Sequence, residues 1–196
     1  MTTRLYYMDS YVTRFEATVL DVVEYEMQPA LILDKTHFYP TSGGQLYDMG
    51  VLAALPVINV VSIDGTIYHV LADEPAHPLI GQSVMGNIDW SRRYDHMQQH
   101  SGQHLLSQTF YECFGHETVS VHFGDLEATL DLDTHSLTDE ELSEVERFAN
   151  HILEVVVTID IQKLTHTVSI VMKFLHFKIQ AHASTENLDS IFRIGT

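Results

Sequence analysis

Three histidines recur at intervals of four residues near the middle of the chain. His96, His100 and His104 stand within the segment Asp95–Ser107. Residues four apart on a helix lie on one face about one turn apart, so the three imidazoles are expected to form a column. Neutral imidazoles at this spacing can bind one Zn²⁺ at roughly 2.0–2.1 Å. The alternative is a solvated helix face that is rich in histidine, and the spacing alone leaves both interpretations open.

A helix that would carry this column is predicted from Ser91 to about Phe114. The segment contains no proline, its apolar residues recur at helical spacing, and Gly115 is well placed to end it. Gly102 lies inside the helix and costs about 1 kcal/mol relative to alanine. Such a cost is tolerated more readily where something must approach the backbone closely.

The first ninety residues have the pattern of short β-strands without a clear helix. Asp64-Gly65 predicts a type I′ hairpin turn, because both central positions of that turn need positive φ. Several short strands of this kind predict a small barrel or meander. The predicted strands are Glu16–Tyr25, Pro29–Asp34, Val57–Ile63, Thr66–Leu71 and Gln82–Trp90.

The remainder of the chain mixes strands with a second helix. That helix begins at a capping box, in which Thr138 and Glu141 can satisfy each other's backbone N–H groups. The predicted fold class is therefore α+β: a small N-terminal β-barrel, residues 1–90, is followed by an α+β domain, residues 91–196, with an antiparallel sheet and two main helices. Its predicted strands are Thr118–Phe123, Glu127–Asp133, Val155–Ile161, Thr167–Phe174 and Leu188–Ile194.

The charge balance limits how such a protein could bind nucleic acid. The 196 residues include 10 Lys and Arg against 27 Asp and Glu, a formal charge of −17 at pH 7. Phosphate neutralisation supplies most of the affinity for nucleic acids, so this composition argues against tight RNA binding. A few clustered cations would still allow weak, salt-sensitive binding.

The rest of the composition predicts a soluble cytoplasmic protein with a metal site. Thirteen histidines raise the expectation of a metal ion. The single cysteine, Cys113, excludes an internal disulfide framework and suits a reducing compartment. No apolar run approaches the roughly 18 residues of a membrane helix, and we expect neither a membrane segment nor a secretory leader.

Two separated motifs carry a resemblance to a known family. The run Arg92–Ser107, RRYDHMQQHSGQHLLS, resembles the editing domain of alanyl-tRNA synthetase and is closer still to the free-standing AlaX-type editing proteins. The segment Phe38–Gln45, FYPTSGGQ, resembles the Gly-rich signature of the β-barrel that precedes that domain. The likeness extends from about residue 3 to about residue 155.

The resemblance implies a zinc site whose ligands are only partly present. The family holds its metal with an H-x-x-x-H pair, which maps onto His100 and His104, and with a later C-x-x-x-H element, whose histidine maps onto His182. Lys178 stands at the cysteine position, and the two glycines of that element are absent. Three histidines and a water would still match a catalytic zinc. Weaker candidates for a fourth ligand are His176, Gln180 and a neutral Lys178.

The resemblance also implies a function and further site residues. The expected activity is zinc-dependent hydrolysis of the ester bond in mischarged tRNA, with serine or glycine attached to the alanine tRNA, and the expected partner is the acceptor end of that tRNA. The alternatives are a non-catalytic relative that binds tRNA or a metal, its zinc site degraded by the lost cysteine, and a plain metal-binding module. Beside the zinc ligands, the expected catalytic residues are Gln103 and His122. By resemblance, the Gly-rich turn lines the same cleft as the zinc site, and its expected substrate contacts are Thr41, Gly43, Gly44 and Gln45. The expected contacts for the RNA are Arg92 and Arg93. The oligomeric state is not predicted.

Overall fold

The structure is a computed structural model that describes residues 2–124, 128–158, 178–183 and 190–195. Side chains are described for residues 2–124 and 128–153. Backbone contacts divide the chain into two compact units, Met1–Asp95 and His96–Thr196. The predicted domain boundary, after residue 90, falls at the first residue of the helix that carries the histidine column.

The first unit consists of eight short strands and one turn of 3₁₀ helix, Leu5–Tyr7. Six of the strands close into a barrel in the order β2-β3-β7-β6-β5-β8, and β1 pairs with β4 beside it. The strands are β1 (Thr3–Arg4), β2 (Arg14–Tyr25), β3 (Gln28–Leu33), β4 (Lys35–Thr36), β5 (Gly50–Leu52), β6 (Leu55–Ile63), β7 (Thr66–Leu71) and β8 (Ser83–Ile88).

Alternating residues of these strands fill the interior of the first unit. In β2, Phe15, Ala17 and Val19 are buried while their neighbours are exposed or half-buried, as the two-residue period of a strand requires. The predicted turn at Asp64-Gly65 is confirmed, with φ of 48° and 82°. The five predicted strands of this unit are all present, although the strand predicted for Gln82–Trp90 ends at Ile88 and Trp90 is the first residue of the following helix. Strands β1, β4 and β5 were not predicted.

The second unit packs helices on an antiparallel sheet. Its sheet has the strand order β11-β12-β10-β9, with antiparallel pairing throughout. The predicted α+β class with two main helices is confirmed. The elements are α1 (Trp90–Phe114), which begins in the first unit, β9 (Thr118–Phe123), β10 (Ala128–Leu132), α2 (Asp139–Thr158), β11 (Lys178–Ala183) and β12 (Ser190–Gly195).

Helix α2 begins where the capping box predicts and continues further than expected. The Thr138 N–H donates to Oε2 of Glu141 at 2.7 Å, and the Glu141 N–H donates to the Thr138 hydroxyl at 3.2 Å. The predicted strand Val155–Ile161 is wrong over residues 155–158, which are helical, and its last three positions lie outside the described residues. A growing helix adds a hydrogen bond with each residue, and this outweighs the strand preference of the β-branched run.

The C-terminal strands were predicted in part. The predicted strand Leu188–Ile194 corresponds to β12, strand β11 was not predicted, and Thr167–Phe174 lies outside the described residues. Over the described part of the chain, neither helix is long and apolar enough to cross a membrane.

One apolar core joins the sheet of the second unit to both helices. Leu106 and Phe110 of α1 meet the inward face of β10, and Val145 and Ala149 of α2 complete the cluster. This packing fixes how α1 is rotated about its axis, and so determines which of its histidines are buried. The other buried members are Phe123, Ala128, Leu130, Leu132, Leu142 and Leu153.

Candidate functional site

The histidine column of α1 runs from the interior to the surface. His96 is buried, with 2% of its surface exposed, His100 is half-buried, and His104 is exposed. The rings of His100 and His104 have centroids 4.9 Å apart and planes inclined by 53°. This separation fits two imidazoles that share one metal ion, because both rings lie on the same face one turn apart.

The ring of His100 is held against an aromatic neighbour. It stacks on Phe123 of β9, with centroids 5.8 Å apart and planes within 13° of parallel. Burial lowers the pKa of His100 below its ordinary value, and the neighbouring His104 lowers it further. Both effects favour the neutral imidazole, which is the form that binds a metal ion.

Gln103 precedes His104 in α1, and its side chain already forms a hydrogen bond. Its side chain is 9% exposed, and its amide nitrogen donates to the hydroxyl of Ser107 at 2.9 Å. Thr118 of β9 donates to the same hydroxyl at 2.7 Å. The described contacts therefore give Gln103 a part in joining α1 to β9, and its predicted catalytic role stays a prediction.

The structure does not bring His122 to the His100 ring. His122 follows Val121 and precedes Phe123 in β9, and adjacent residues of a strand point to opposite faces of the sheet. Phe123 faces His100, so His122 projects from the other face, where its side chain is 72% exposed. Its Nε2 lies 3.7 Å from Oδ2 of Asp131 and 3.5 Å from the Ser120 hydroxyl. The expectation that His122 shares a pocket with His100 is not supported.

The predicted third ligand, His182, lies in β11. There it is the register partner of Ile191 in β12, and its side chain lies outside the described residues. Strand β11 is at the opposite edge of the described sheet from β9, on which His100 stacks. Among the described residues, no group of three or more His, Cys, Asp or Glu side chains could hold a metal ion. The site of His100, His104 and His182 stays a prediction, and His176 lies outside the description.

The Gly-rich segment forms a tight turn in the first unit. Ser42 and Gln45 exchange two backbone hydrogen bonds of 3.1 Å, and Gly43 and Gly44 between them have φ of 59° and 83°. A β-carbon at Gly43 would have no atom within 4 Å, so the outer side of the turn is open. Thr41 and both glycines are exposed, whereas the side chain of Gln45 is 7% exposed. The turn can therefore present backbone N–H groups to a ligand.

Comparison with known proteins identifies the family. The model for "tRNA synthetases class II (A)" matches residues 6–92. The alanine–tRNA ligase of Pyrococcus abyssi is 37% identical over 159 residues, which cover 78% of this chain and 17% of the ligase. The alanyl-tRNA editing protein AlaX-M of Methanosarcina mazei is 34% identical over 163 residues, which cover 78% of this chain and 64% of that protein.

The chain belongs to the alanyl-tRNA editing family. A further relative, the alanyl-tRNA editing protein Aarsd1-A of Xenopus laevis, is 35% identical over 135 residues, which cover 69% of this chain and 32% of that protein. The chain thus spans about a sixth of the alanine–tRNA ligases that it matches and less than two thirds of the editing proteins.

One predicted RNA contact of this family member has a structural role. Arg93 is 2% exposed and forms a two-pronged pair with Asp48, whose Oδ1 accepts from the Arg93 Nε at 2.8 Å. The same guanidinium donates to the carbonyl oxygens of Ser10 at 2.7 Å and His37 at 2.6 Å. With its donors directed inward, Arg93 has no exposed face for a phosphate, and the structure does not support it as an RNA contact.

Arg92 differs from Arg93 in its surroundings. It is half-buried, its Nε donates to the Tyr47 carbonyl oxygen at 3.1 Å, and its guanidinium lies 5.4 Å from the centre of the Tyr47 ring. A cation over an aromatic face is held in place while part of its surface stays accessible. Arg92 therefore remains the predicted contact for RNA.

Asp48 was missed by the sequence analysis. It lies three residues after the Gly-rich turn and is fully buried, yet its partner Arg93 is 45 residues further along the chain. Local patterns do not reveal such a pairing, and an aspartate after a Gly-rich turn is ordinary in a loop.

Proposed function

We propose that the chain is an aminoacyl-tRNA deacylase that hydrolyses the ester bond of alanine tRNA mischarged with serine or glycine, at a zinc site. The observation that carries the proposal is the pair His100 and His104, one turn apart on α1, with His100 stacked on Phe123. The names of the relatives support the substrate class, since two of them are alanyl-tRNA editing proteins.

In this proposal His100, His104 and His182 hold the metal ion. When bound, Zn²⁺ lowers the pKa of a bound water towards about 7 and polarises a carbonyl oxygen. The protein supplies the orientation of the ligands: Phe123 fixes the plane of the His100 ring, and the core contacts of Leu106 fix the rotation of α1. Rings held in this way lose less freedom when they bind an ion.

The Gly-rich turn is the proposed contact for the aminoacyl end. Gly43 and Gly44 are exposed, a β-carbon at Gly43 would have no atom within 4 Å, and Thr41 is exposed beside them. A site that cleaves the serine ester and spares alanine must reward the serine hydroxyl with a hydrogen bond, because size alone does not exclude the smaller residue. The hydroxyl of Thr41 is the better candidate, since the Gln103 amide already donates to Ser107.

Replacement of Thr41 by valine tests this assignment. Thr41→Val keeps the shape of the side chain and removes its hydroxyl, so hydrolysis of Ser-tRNA should slow while that of Ala-tRNA stays low. The ratio of kcat/KM for the two substrates is the measurement. An unchanged ratio would remove Thr41 as the source of selectivity.

The deciding experiment is deacylation of Ser-tRNA(Ala) together with the zinc content of the purified protein. We expect about one zinc per chain and steady release of serine. His100→Ala should remove both, whereas His151→Ala, at an exposed histidine of α2, should retain both. Release of serine at the same rate by His100→Ala and the wild-type protein would refute the proposal.

A second candidate function is favoured by one specific observation. Lys178 occupies the family's cysteine position, and β11, which contains both Lys178 and His182, lies at the sheet edge opposite β9. The second candidate is a non-catalytic relative that binds tRNA, its zinc site degraded. Retained tRNA binding with neither zinc nor turnover would establish this candidate in place of the first.

A further inference from the structure

Three tyrosines form a connected group in the first unit, which we call the tyrosine cluster: Tyr6, Tyr7 and Tyr39. Tyr7 is 67% exposed, and its ring lies 4.6 Å from that of Tyr6, with planes inclined by 62°. Tyr6 is 5% exposed and meets Tyr39 edge-on at 5.1 Å. The buried Tyr6 ring therefore supports the exposed Tyr7 ring and links it to Tyr39.

Tyr39 connects the tyrosine cluster to the Gly-rich turn. It lies three residues before Ser42, the residue that pairs with Gln45 across the turn. Its backbone N–H donates to Oδ2 of Asp48, the carboxylate that Arg93 holds. The backbone of Tyr39 is thus held by Asp48, and its ring contacts Tyr6, which in turn contacts the exposed Tyr7 ring.

A cation lies beside the same surface. Arg4 donates from one terminal nitrogen to the Ser62 hydroxyl of β6 at 3.1 Å, and its charge acts on the phenol of Tyr6. The backbone N–H of Thr41 donates to the carbonyl oxygen of Val60, two residues before Ser62 in the same strand. Two residues of a strand span roughly 7 Å. Arg4 and the turn are therefore within the reach of one or two nucleotides.

We propose that this surface binds an unpaired nucleotide at the 3′ end of an RNA, with the base stacked on Tyr7 and the adjoining phosphate bound by Arg4. The inference rests on the proposed function, which makes an aminoacyl-tRNA the substrate. It identifies how the RNA is held, which that function leaves open.

The charge of the chain favours stacking over phosphate neutralisation as the source of affinity. The formal charge is −17, and the guanidinium of Arg93 is committed to the interior. Stacking of a base on an aromatic ring does not depend on net charge and tolerates any base. A tyrosine that is already supported by a neighbouring ring also loses little freedom when a base stacks on it.

The test is the binding of two labelled RNA hairpins, one with a short single-stranded 3′ overhang and one with a blunt end, measured by fluorescence anisotropy. The wild-type protein should bind the overhang hairpin more tightly. Tyr7→Ala should weaken that binding about fivefold or more, whereas Tyr7→Trp should retain it. Tyr111→Ala removes a comparably exposed ring from the second unit, at 53% exposure, and should have no effect.

The role of Arg4 is tested by the salt dependence of the same binding. Loss of one phosphate contact should reduce the slope of log Kd against log salt by about 0.7 for Arg4→Gln, while Arg4→Lys should keep the slope. Equal binding of the two hairpins, or wild-type affinity for Tyr7→Ala, would overturn the inference.

The outcomes separate this inference from the proposed function. Binding of the overhang that depends on Tyr7, without release of serine from Ser-tRNA(Ala), supports the inference and refutes the hydrolase. Release of serine with an unchanged KM in Tyr7→Ala supports the hydrolase and refutes the inference.

Discussion

The hydroxyl oxygen of Thr36 lies 2.8 Å from Nε2 of His69, and both residues are fully buried in the first unit. The backbone N–H of Phe38 donates to the Thr36 oxygen at 3.0 Å, and Nδ1 of His69 lies 2.9 Å from the carbonyl oxygen of Leu31. This network assigns a neutral imidazole in which Nδ1 donates to Leu31 and Nε2 accepts from Thr36. Burial lowers the pKa of His69 to about 4.

The stability of the protein should therefore decrease in mild acid. Between pH 6.5 and about 4 the unfolded chain binds a proton at His69 and the native chain does not. The contribution of the neutral His69 to the free energy of unfolding is therefore complete above pH 6.5 and is lost as the pH falls towards 4. The loss from this residue is about 3 kcal/mol. Urea unfolding across this interval measures it. His69→Gln should flatten the dependence, and His77→Gln, at an exposed histidine, should leave it unchanged.

In the proposed zinc site, the contact between Phe123 and His100 should govern the affinity for the metal ion. Phe123→Leu keeps an apolar side chain in the core but removes the flat surface that orients the imidazole, so we expect an affinity loss of about tenfold. Competition with a chromophoric chelator measures this change. The control is Phe110→Leu, in the same core, which should cost similar stability and leave zinc affinity unchanged. Equal affinities in the two variants would argue against an orienting role for Phe123.

The buried pair of Arg93 and Asp48 should control stability. Asp48→Asn leaves a buried guanidinium without a counter-charge and should cost about 3–5 kcal/mol in the free energy of unfolding. Arg93→Lys should also destabilise, because an ammonium group cannot reproduce the two-pronged contact.

Arg92 serves as the control for the buried pair of Arg93 and Asp48. Arg92→Gln should weaken RNA binding and change the unfolding free energy by less than Asp48→Asn does, since Arg92 is only half-buried. Urea unfolding and RNA titration of the same preparations separate the two effects. A stable Asp48→Asn protein with weakened RNA binding would reverse these assignments.

Met27 should be a site where glycine stabilises the protein. It connects β2 to β3 with φ of 64°, and its side chain is 87% exposed, so Met27→Gly relieves left-handed backbone geometry and gives up little packing. We expect a gain of about 1 kcal/mol in unfolding free energy. The converse change is Gly65→Ala in the β6–β7 turn, where φ is 82° and a loss of similar size is expected. Thermal unfolding of both variants measures these changes.

The sequence predicted elements whose signals are local and missed those that depend on distant pairing. The Asp64-Gly65 turn, the capping box of Thr138 and Glu141, and the extent of α1 follow from neighbouring residues, and all three are confirmed. Strand β5 has three residues and acquires its structure from β6 and β8, so its own sequence contains little indication of it.

In the candidate site, too, the features with local signals were predicted and those that depend on distant contacts were missed. Helical spacing places His100 and His104 together, and this arrangement is present. The burial of Arg93 depends on Asp48, 45 residues away, and the outward position of His122 depends on which face of β9 meets α1. Neither is visible as a periodic pattern, because each is determined by tertiary packing.

The contacts of Arg93 have a practical consequence for dividing this chain into fragments. The stretch that matches the synthetase model ends at residue 92, one position before the guanidinium that neutralises Asp48. An expression fragment cut at that point would bury a carboxylate with no counter-ion and leave the carbonyl groups of Ser10 and His37 without their donor. A recombinant barrel should therefore extend at least through Asp95, the end of the first compact unit.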